Sequence, residues 1–162
     1  MKETSAYFEK ESFDAVFSLY NSFGFFDLRK DDFKVLKEVS KVLKPGGHFI
    51  INTINGSGAV ARFQRPMSMG YEFKKNLFMI DKAFMDMKKM RTHCDWTIID
   101  TRKSKASIFR HSFTQNVYTH QEMKDMLKKA GFKVVKTWGM LEGGPFDEKK
   151  SWHQTVLAQK IK

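Results

Sequence analysis

Residues 13–20 read FDAVFSLY, residues 48–54 read HFIINTI, and the stretch between them ends in Lys44-Pro45-Gly46-Gly47. No other feature constrains the fold so much. Phe33, Leu36, Val39 and Leu43, with Val35 and Val42 beside them, recur at helical spacing. A cation, a proline and two glycines then stop that helix, because the lysine complements the carbonyl end and neither following residue type continues the turn. The first apolar run carries hydrophobic side chains on both parities: Phe13, Ala15, Val16, Phe17 and Leu19. Strands buried on both faces look like this, and they are usually parallel and internal. Strand, crossover helix and strand, in that order, predict a right-handed parallel pair and an α/β fold. Asn21, Ser22, Gly24 and Asp27 place a loop after the first strand, and Asp31 or Asp32 is placed to cap the helix.

Farther along, Gly56, Ser57 and Gly58 predict a loop, and Pro66 marks a second break. From Leu77 to Tyr118 the pattern predicts three antiparallel strands near 77–91, 93–102 and 105–117. Alternation is clearest at Trp96-Thr97-Ile98 and from Ile108 to Phe113. A helix over 77–90 competes, since Met79, Ala83, Met87 and Met90 also fit helical spacing. Thr119 with Glu122 forms a capping box, and Met123, Met126, Leu127 and Ala130 line one face of the helix that it starts. Gly131 closes that helix. Phe132 to Trp138 reads as a strand, Gly143-Gly144-Pro145 as a loop, and His153 to Gln159 as a last strand. There is no internal repeat.

Length and composition fit one globular domain: 162 residues, 41% hydrophobic and 29% charged. No run approaches a membrane span, and the charged N-terminus has no apolar core of a signal peptide. A lone Cys94 forms no internal disulfide, which fits a cytoplasmic location. The net charge of +11 invites a nucleic-acid or anionic-surface reading. Its lysines are spread along the whole chain, however, and no RNP-like or zinc-finger spacing accompanies the aromatics. A solvated basic surface is the simpler reading.

FDAVFSLYNSFGFF, then VLKPGGHFIINTIN, then YTHQEMKDMLKKAGFKVVKTWG resemble, in this order, the second half of a class I S-adenosylmethionine-dependent methyltransferase. The resemblance covers residues 13–55 and 118–160, and the L-K-P-G-G phrase with its flanks is its most specific part. It implies a partial Rossmann-like methyltransferase sheet, mixed, with its last strand antiparallel. It also implies a single truncated domain over residues 1–162, with 60–117 as an antiparallel β insert that caps the site. The implied activity is methyl transfer from S-adenosylmethionine to a small molecule. In the family a Gly-rich turn and a ribose-holding acidic residue come before the fourth strand. Twelve residues precede Phe13 here and supply neither, while Gly56-x-Gly58 and Gly143-Gly144 stand in other contexts. Losing two charge-assisted hydrogen bonds costs about 3–6 kcal/mol, or about 10² to 10⁴ in affinity. The chain alone is therefore expected to hold the cofactor weakly. The rival reading is a non-catalytic interaction domain whose basic surface contacts nucleic acid.

The resemblance makes the loop after the first strand one wall of the site. Ser18, Leu19, Tyr20 and Asn21 fall on the cofactor side, and Ser22, Phe23, Thr53, Asn55 and Tyr118 on the substrate side. For Tyr20, Phe23 and Asn21 the plainer reading is packing or turn formation, and for Thr53 and Asn55 it is strand-end turn chemistry. In the insert, Tyr71, Trp96 and Arg110 are candidates for the pocket mouth, though Trp96 reads more simply as a core contact. Methyl transfer needs alignment more than acid or base; His111 or Tyr118 would serve if a base were needed. Family members often carry a basic residue just before the Tyr-Thr pair, where Asn116-Val117 stands here. His93, Cys94 and Asp95 adjoin, but strand neighbours point to opposite faces and no second cluster completes a metal site. His48, His120 and His153 fall at element ends and read as solvated. Finally, the strand at 13–20 has no predecessor to pair with. An apolar strand at a sheet edge recruits another chain, so a homodimer through this strand is expected, or a separate chain supplying the missing half.

Overall fold

The computed structural model describes residues 3–161. A 3-10 turn over Thr4–Ala6 leads to strand β1 (Phe13–Ser18), helix α1 (Arg29–Val42) and strand β2 (Leu43–Ile54). Helix α2 (Gly56–Arg62) follows, then strands β3 (Met67–Lys74), β4 (Leu77–Asp86), β5 (Arg91–Asp100) and β6 (Ser107–Asn116). Helix α3 (His120–Lys129) and strands β7 (Phe132–Trp138) and β8 (His153–Lys160) complete the order. The strands form two sheets, ordered β1-β2-β8-β7 and β3-β4-β5-β6.

In the first sheet β1 and β2 run parallel, with Phe17 opposite Ile50. Strand β8 lies antiparallel between β2 and β7. Helices α1 and α3 cover the same face. Val35, Leu36 and Val39 of α1 and Met123 and Leu127 of α3 join Phe49, Ile51, Phe132, Val156 and Ala158 in one buried cluster. The period of two puts Phe17, Ile50 and Leu157 on the opposite face. Neither α1 nor α3 covers that face, and Phe17 is 59% exposed.

The second sheet is four antiparallel strands joined in sequence. Its base meets the first sheet through Ile54, Ala59, Phe63, Met85 and Val117. The capping box forms as expected: Thr119 Oγ1 accepts from Glu122 N at 3.2 Å, and Glu122 Oε2 accepts from Thr119 N at 2.9 Å. Gly131 turns the chain at a φ of +91°, in the left-handed region where a Cβ is costly.

Several expectations are corrected. β1 takes the edge position expected for a strand without a predecessor, but it is not buried on both faces: three of its six residues are exposed. Asp31 and Asp32 do not cap α1, which starts earlier at Arg29 with Leu28 as its N-cap, and they stand in its first turn. Residues 56–62 are a helix rather than a loop, because the segment is held from outside: Gly56 N donates to Tyr118 O at 2.8 Å. Gly58 sits so close to Ser151 that a Cβ would lie 2.1 Å from its carbonyl oxygen. The helix considered for 77–90 is replaced by β4, which is paired on both sides. An additional strand, β3, supplies one of those partners.

Candidate functional site

The first sheet's chain reversals meet where β1 ends. Beyond Ser18 the backbone turns sharply, with Tyr20 at a φ of +54° and Asn21 at +57°. Side chains other than glycine hold this conformation only where surrounding structure enforces it, at about 1–3 kcal/mol each. The enforcing groups come from β6 and its neighbours. Gln115 Nε2 donates to Asn21 O at 2.9 Å and to Phe23 O at 2.7 Å. Asn116 N donates to Gly24 O at 2.7 Å, and Asn116 Nδ2 donates to Phe26 O at 2.7 Å. The last two residues of β6 thus clamp the loop that follows β1.

On the face away from α1 and α3 this loop opens onto a cavity of about 250 Å³. Its walls are Tyr20 and Asn21, Asn52 of β2, His153 of β8, and Met140, Leu141 and Glu142 from the β7–β8 connection. A second cavity of about 330 Å³ shares Leu141 and Glu142 and runs along Phe17, Leu19, Ile50, Trp138 and Thr155. The roofing connection is tied down by Thr155 Oγ1, which donates to Met140 O at 3.0 Å, and by Asn55 Nδ2, which donates to Glu148 O at 2.7 Å and Ser151 O at 2.9 Å.

Two polar groups in the first cavity stand out. Asn21 Nδ2 lies 3.3 Å from His153 Nε2, while Asn21 Oδ1 is buried with no hydrogen-bond partner among the described residues. Burial pushes the His153 imidazole below its ordinary value; the Glu142 carboxylate opposes this shift and the Arg62 guanidinium reinforces it.

Of the residues singled out in the sequence, Leu19, Tyr20 and Asn21 line these cavities. Ser18 is buried beneath them, its Oγ 3.1 Å from Ser22 Oγ. Ser22 and Phe23 border a separate hollow with Gly24, Phe25, Phe26 and Val35. Thr53 is fully buried, and by the strand period it lies on the helix-covered face with Phe49 and Ile51. Asn55 holds the roof. Tyr118 is buried with its hydroxyl donating to Asp32 Oδ2 at 2.6 Å, and burial with that bond holds its phenol far above the usual range. Tyr71, Trp96, Arg110 and His111 lie on β3, β5 and β6 and line neither cavity. Burial first, then Asp81 and Asp95, push the Cys94 thiol up to about 11. Among the described residues, no group of three or more His, Cys, Asp or Glu side chains converges to hold a metal.

Asn52, Glu142 and His153 were not legible as site residues. His153 joins the site only because β8 inserts beside β2, placing His153 opposite Ile54. That neighbour relation is not written in local spacing.

Comparison with known proteins bears on this geometry. Residues 2–51 match the model of a methyltransferase domain. No curated protein matches the chain. Among solved structures, an S-adenosylmethionine-dependent methyltransferase from Clostridium acetobutylicum superposes with a TM-score of 0.80 at 15% identity, over 92% of this chain and 58% of its own. The CcbJ methyltransferase of Streptomyces caelestis gives 0.77 at 15% identity, over 93% and 61%. The S-adenosylmethionine-bound amino pentose methyltransferase of Micromonospora echinaspora gives 0.65 at 14% identity, over 92% and 58%. The chain thus has the Rossmann-like fold of class I methyltransferases, and it spans less than two thirds of the length of these structures.

Proposed function

We propose that this chain takes part in S-adenosylmethionine-dependent methyl transfer to a small molecule, contributing the wall of the site that follows β1. The observation that carries the reading is the position of the paired cavities. They open beside the carboxyl end of a parallel strand pair, where ligands of open α/β sheets bind, in a chain with a methyltransferase-domain match over residues 2–51. The small-molecule substrate is supported by neighbours that include an amino pentose methyltransferase and a sugar N-methyltransferase.

The cofactor, S-adenosylmethionine, supplies an activated methyl group on a sulfonium. Leu19, Tyr20 and Asn21 suit one wall of its site. The nucleotide end needs a Gly-rich turn and a ribose-holding carboxylate. Among the described residues no strand precedes β1, so the residues here do not make that grip. Weak binding by the 162-residue chain follows. Isothermal titration with S-adenosylmethionine is expected to give a millimolar or weaker dissociation constant; a micromolar one refutes the missing-grip argument. Photo-crosslinking by the cofactor at 19–21 supports the wall, and crosslinking confined to other segments removes it.

The same reading extends to assembly. β1 is an edge strand, and apolar hollows flank it on both sides: Tyr7, Phe8, Val16 and Phe26 line one, and Phe17, Leu19 and Ile50 the other. Pairing through β1 with a second copy satisfies the free edge. Light scattering after size exclusion tests this: a dimer from the pure chain supports it, and a monomer removes it.

A further inference from the structure

We propose that the Asn21–Glu142–His153 cavity is a binding site for a protonated amine carried by a small polar molecule. This deepens the reading above by naming the class of methyl acceptor, and it rests on that reading for its catalytic meaning: an ammonium has no lone pair, so it becomes a methyl acceptor only after its proton passes to a base, and the His153 imidazole is the base on this wall. The chain carries a net charge of +11, yet neither lysine nor arginine lines this cavity. Its polar groups are instead a carboxylate, Glu142, an orphaned carbonyl oxygen, Asn21 Oδ1, and the imidazole of His153. A buried carbonyl oxygen without a donor costs free energy until one arrives. An ammonium brings three donors and the charge that Glu142 lacks, since Glu142 makes no ion pair among the described residues.

The rest of the wall suits the same ligand. Tyr20 is 82% exposed at the mouth, and an aromatic face attracts a cation. Met140 and Leu141 give an apolar surface for a carbon skeleton. An anionic ligand finds the opposite: a carboxylate and no cation on the lining. The charged and titratable groups that face the imidazole are Glu142 from the roof and Arg62 from α2.

The test uses the intact chain and a matched pair of probes, glucosamine and glucose, which differ in the charged amine. Amide and side-chain NMR shifts at residues 20–21, 142 and 153 report binding. Glucosamine is expected to shift them with a millimolar dissociation constant, and glucose is expected to bind at least tenfold more weakly. Glu142→Gln should weaken glucosamine about tenfold, the worth of one charge-assisted hydrogen bond, and Glu142→Lys should abolish binding. Residue 142 lies on an exposed loop, so both variants keep the fold. Binding should also weaken as acid protonates His153 and adds a positive charge to the wall. Equal binding of glucose and glucosamine, shifts centred elsewhere, or an unchanged Glu142→Gln overturns the proposal. Failure of the methyltransferase reading looks different. Amine binding without cofactor crosslinking at 19–21 supports the amine site and removes its role in methyl transfer. Crosslinking without amine preference does the reverse.

Discussion

Tyr118 offers the sharpest test of how the site is built. Its hydroxyl donates to Asp32 Oδ2 at 2.6 Å, and Asn116 Nδ2 donates to the same oxygen at 2.8 Å. Tyr118 and Asp32 are 1% and 0% exposed. Tyr118→Phe keeps the ring against Phe23 and under the Arg29 guanidinium, which sits 4.1 Å from the ring centroid. The change therefore isolates one hydrogen bond to a buried carboxyl. Such a bond is worth about 1.5–3 kcal/mol. At about 2–4 °C per kcal/mol for a chain of this size, Tm should fall by about 3–12 °C.

The pH dependence has a definite sign. Burial raises the Asp32 pKa above its ordinary 3.8, and the hydrogen bonds from Tyr118 and Asn116 hold the rise back. A carboxyl whose folded pKa exceeds its unfolded value contributes stability below the unfolded value and loses it as pH rises through the folded one. Removing the hydroxyl raises the folded pKa further, so the Tyr118→Phe penalty should be larger at pH 7 than near pH 4. Urea unfolding followed by circular dichroism at both pH values measures this, with Asp32→Asn closing a double-mutant cycle. A loss below about 0.5 kcal/mol at pH 7, or the same loss in the Asp32→Asn background, refutes the assignment of the hydroxyl to Asp32. It would also return Tyr118 to the list of groups free for substrate.

Other outcomes follow from the same packing. The Lys41 ammonium, then the Ser5 hydroxyl and amide, hold the Glu38 carboxyl down to about 2. That stability is present above the ordinary value near 4.5 and is lost as pH falls toward 2, so Glu38→Gln should flatten the acid limb of an unfolding profile. Gly58→Ala places a Cβ 2.1 Å from Ser151 O and should destabilise by about 1–3 kcal/mol in thermal unfolding. With its thiol up at about 11, Cys94 should alkylate with iodoacetamide at pH 8 about 100-fold more slowly in the folded chain than in urea. Phe17→Lys should leave monomer stability within about 0.5 kcal/mol, because the side chain is 59% exposed, while weakening any assembly through β1 in light scattering.

Local signals located most of the fold. Thr119 and Glu122 are three residues apart and close on each other, so the start of α3 was legible. The L-K-P-G-G phrase located the end of α1 only approximately: the helix stops at Val42 with Leu43 already extended, and β2 runs through the phrase from Leu43 instead of starting at His48. Residues 56–62 failed for the opposite reason. Gly56 and Gly58 read as loop residues, but they are helical because only glycine fits against Tyr118, Thr119 and Ser151. Tertiary contact overrode propensity there. β1 misled in another way. Apolar residues on both parities predict burial on both faces, but its free edge and a sheet face that neither α1 nor α3 covers leave Phe17 open. The site was legible along the β1 loop and illegible across strands. Tyr20 and Asn21 follow a readable strand end, whereas His153 and Glu142 reach them through a 132-residue separation from Asn21 to His153 and a roof with no motif.

The charge of the chain shows why a total is a poor guide to a site. An excess of eleven positive charges argues for anionic partners when they converge, because potentials add over a Debye length of about 8 Å. Here Lys34 and Lys41 pair with Asp31 and Glu38 along α1, Lys44 with Asp14, and Arg91 with Asp27. Those pairs spend cations on the helix face and the insert, and the cavity beside β1 is lined by one carboxylate and by no lysine or arginine. A polyanion then finds attraction over the surface but none in the cavity. Salt should therefore weaken binding of random RNA steeply, with log K falling in proportion to log salt, while leaving glucosamine in the cavity nearly as tightly held. A glucosamine affinity that collapses in step with RNA binding between 50 and 200 mM salt would place both ligands on the same diffuse surface and take the cavity out of the account.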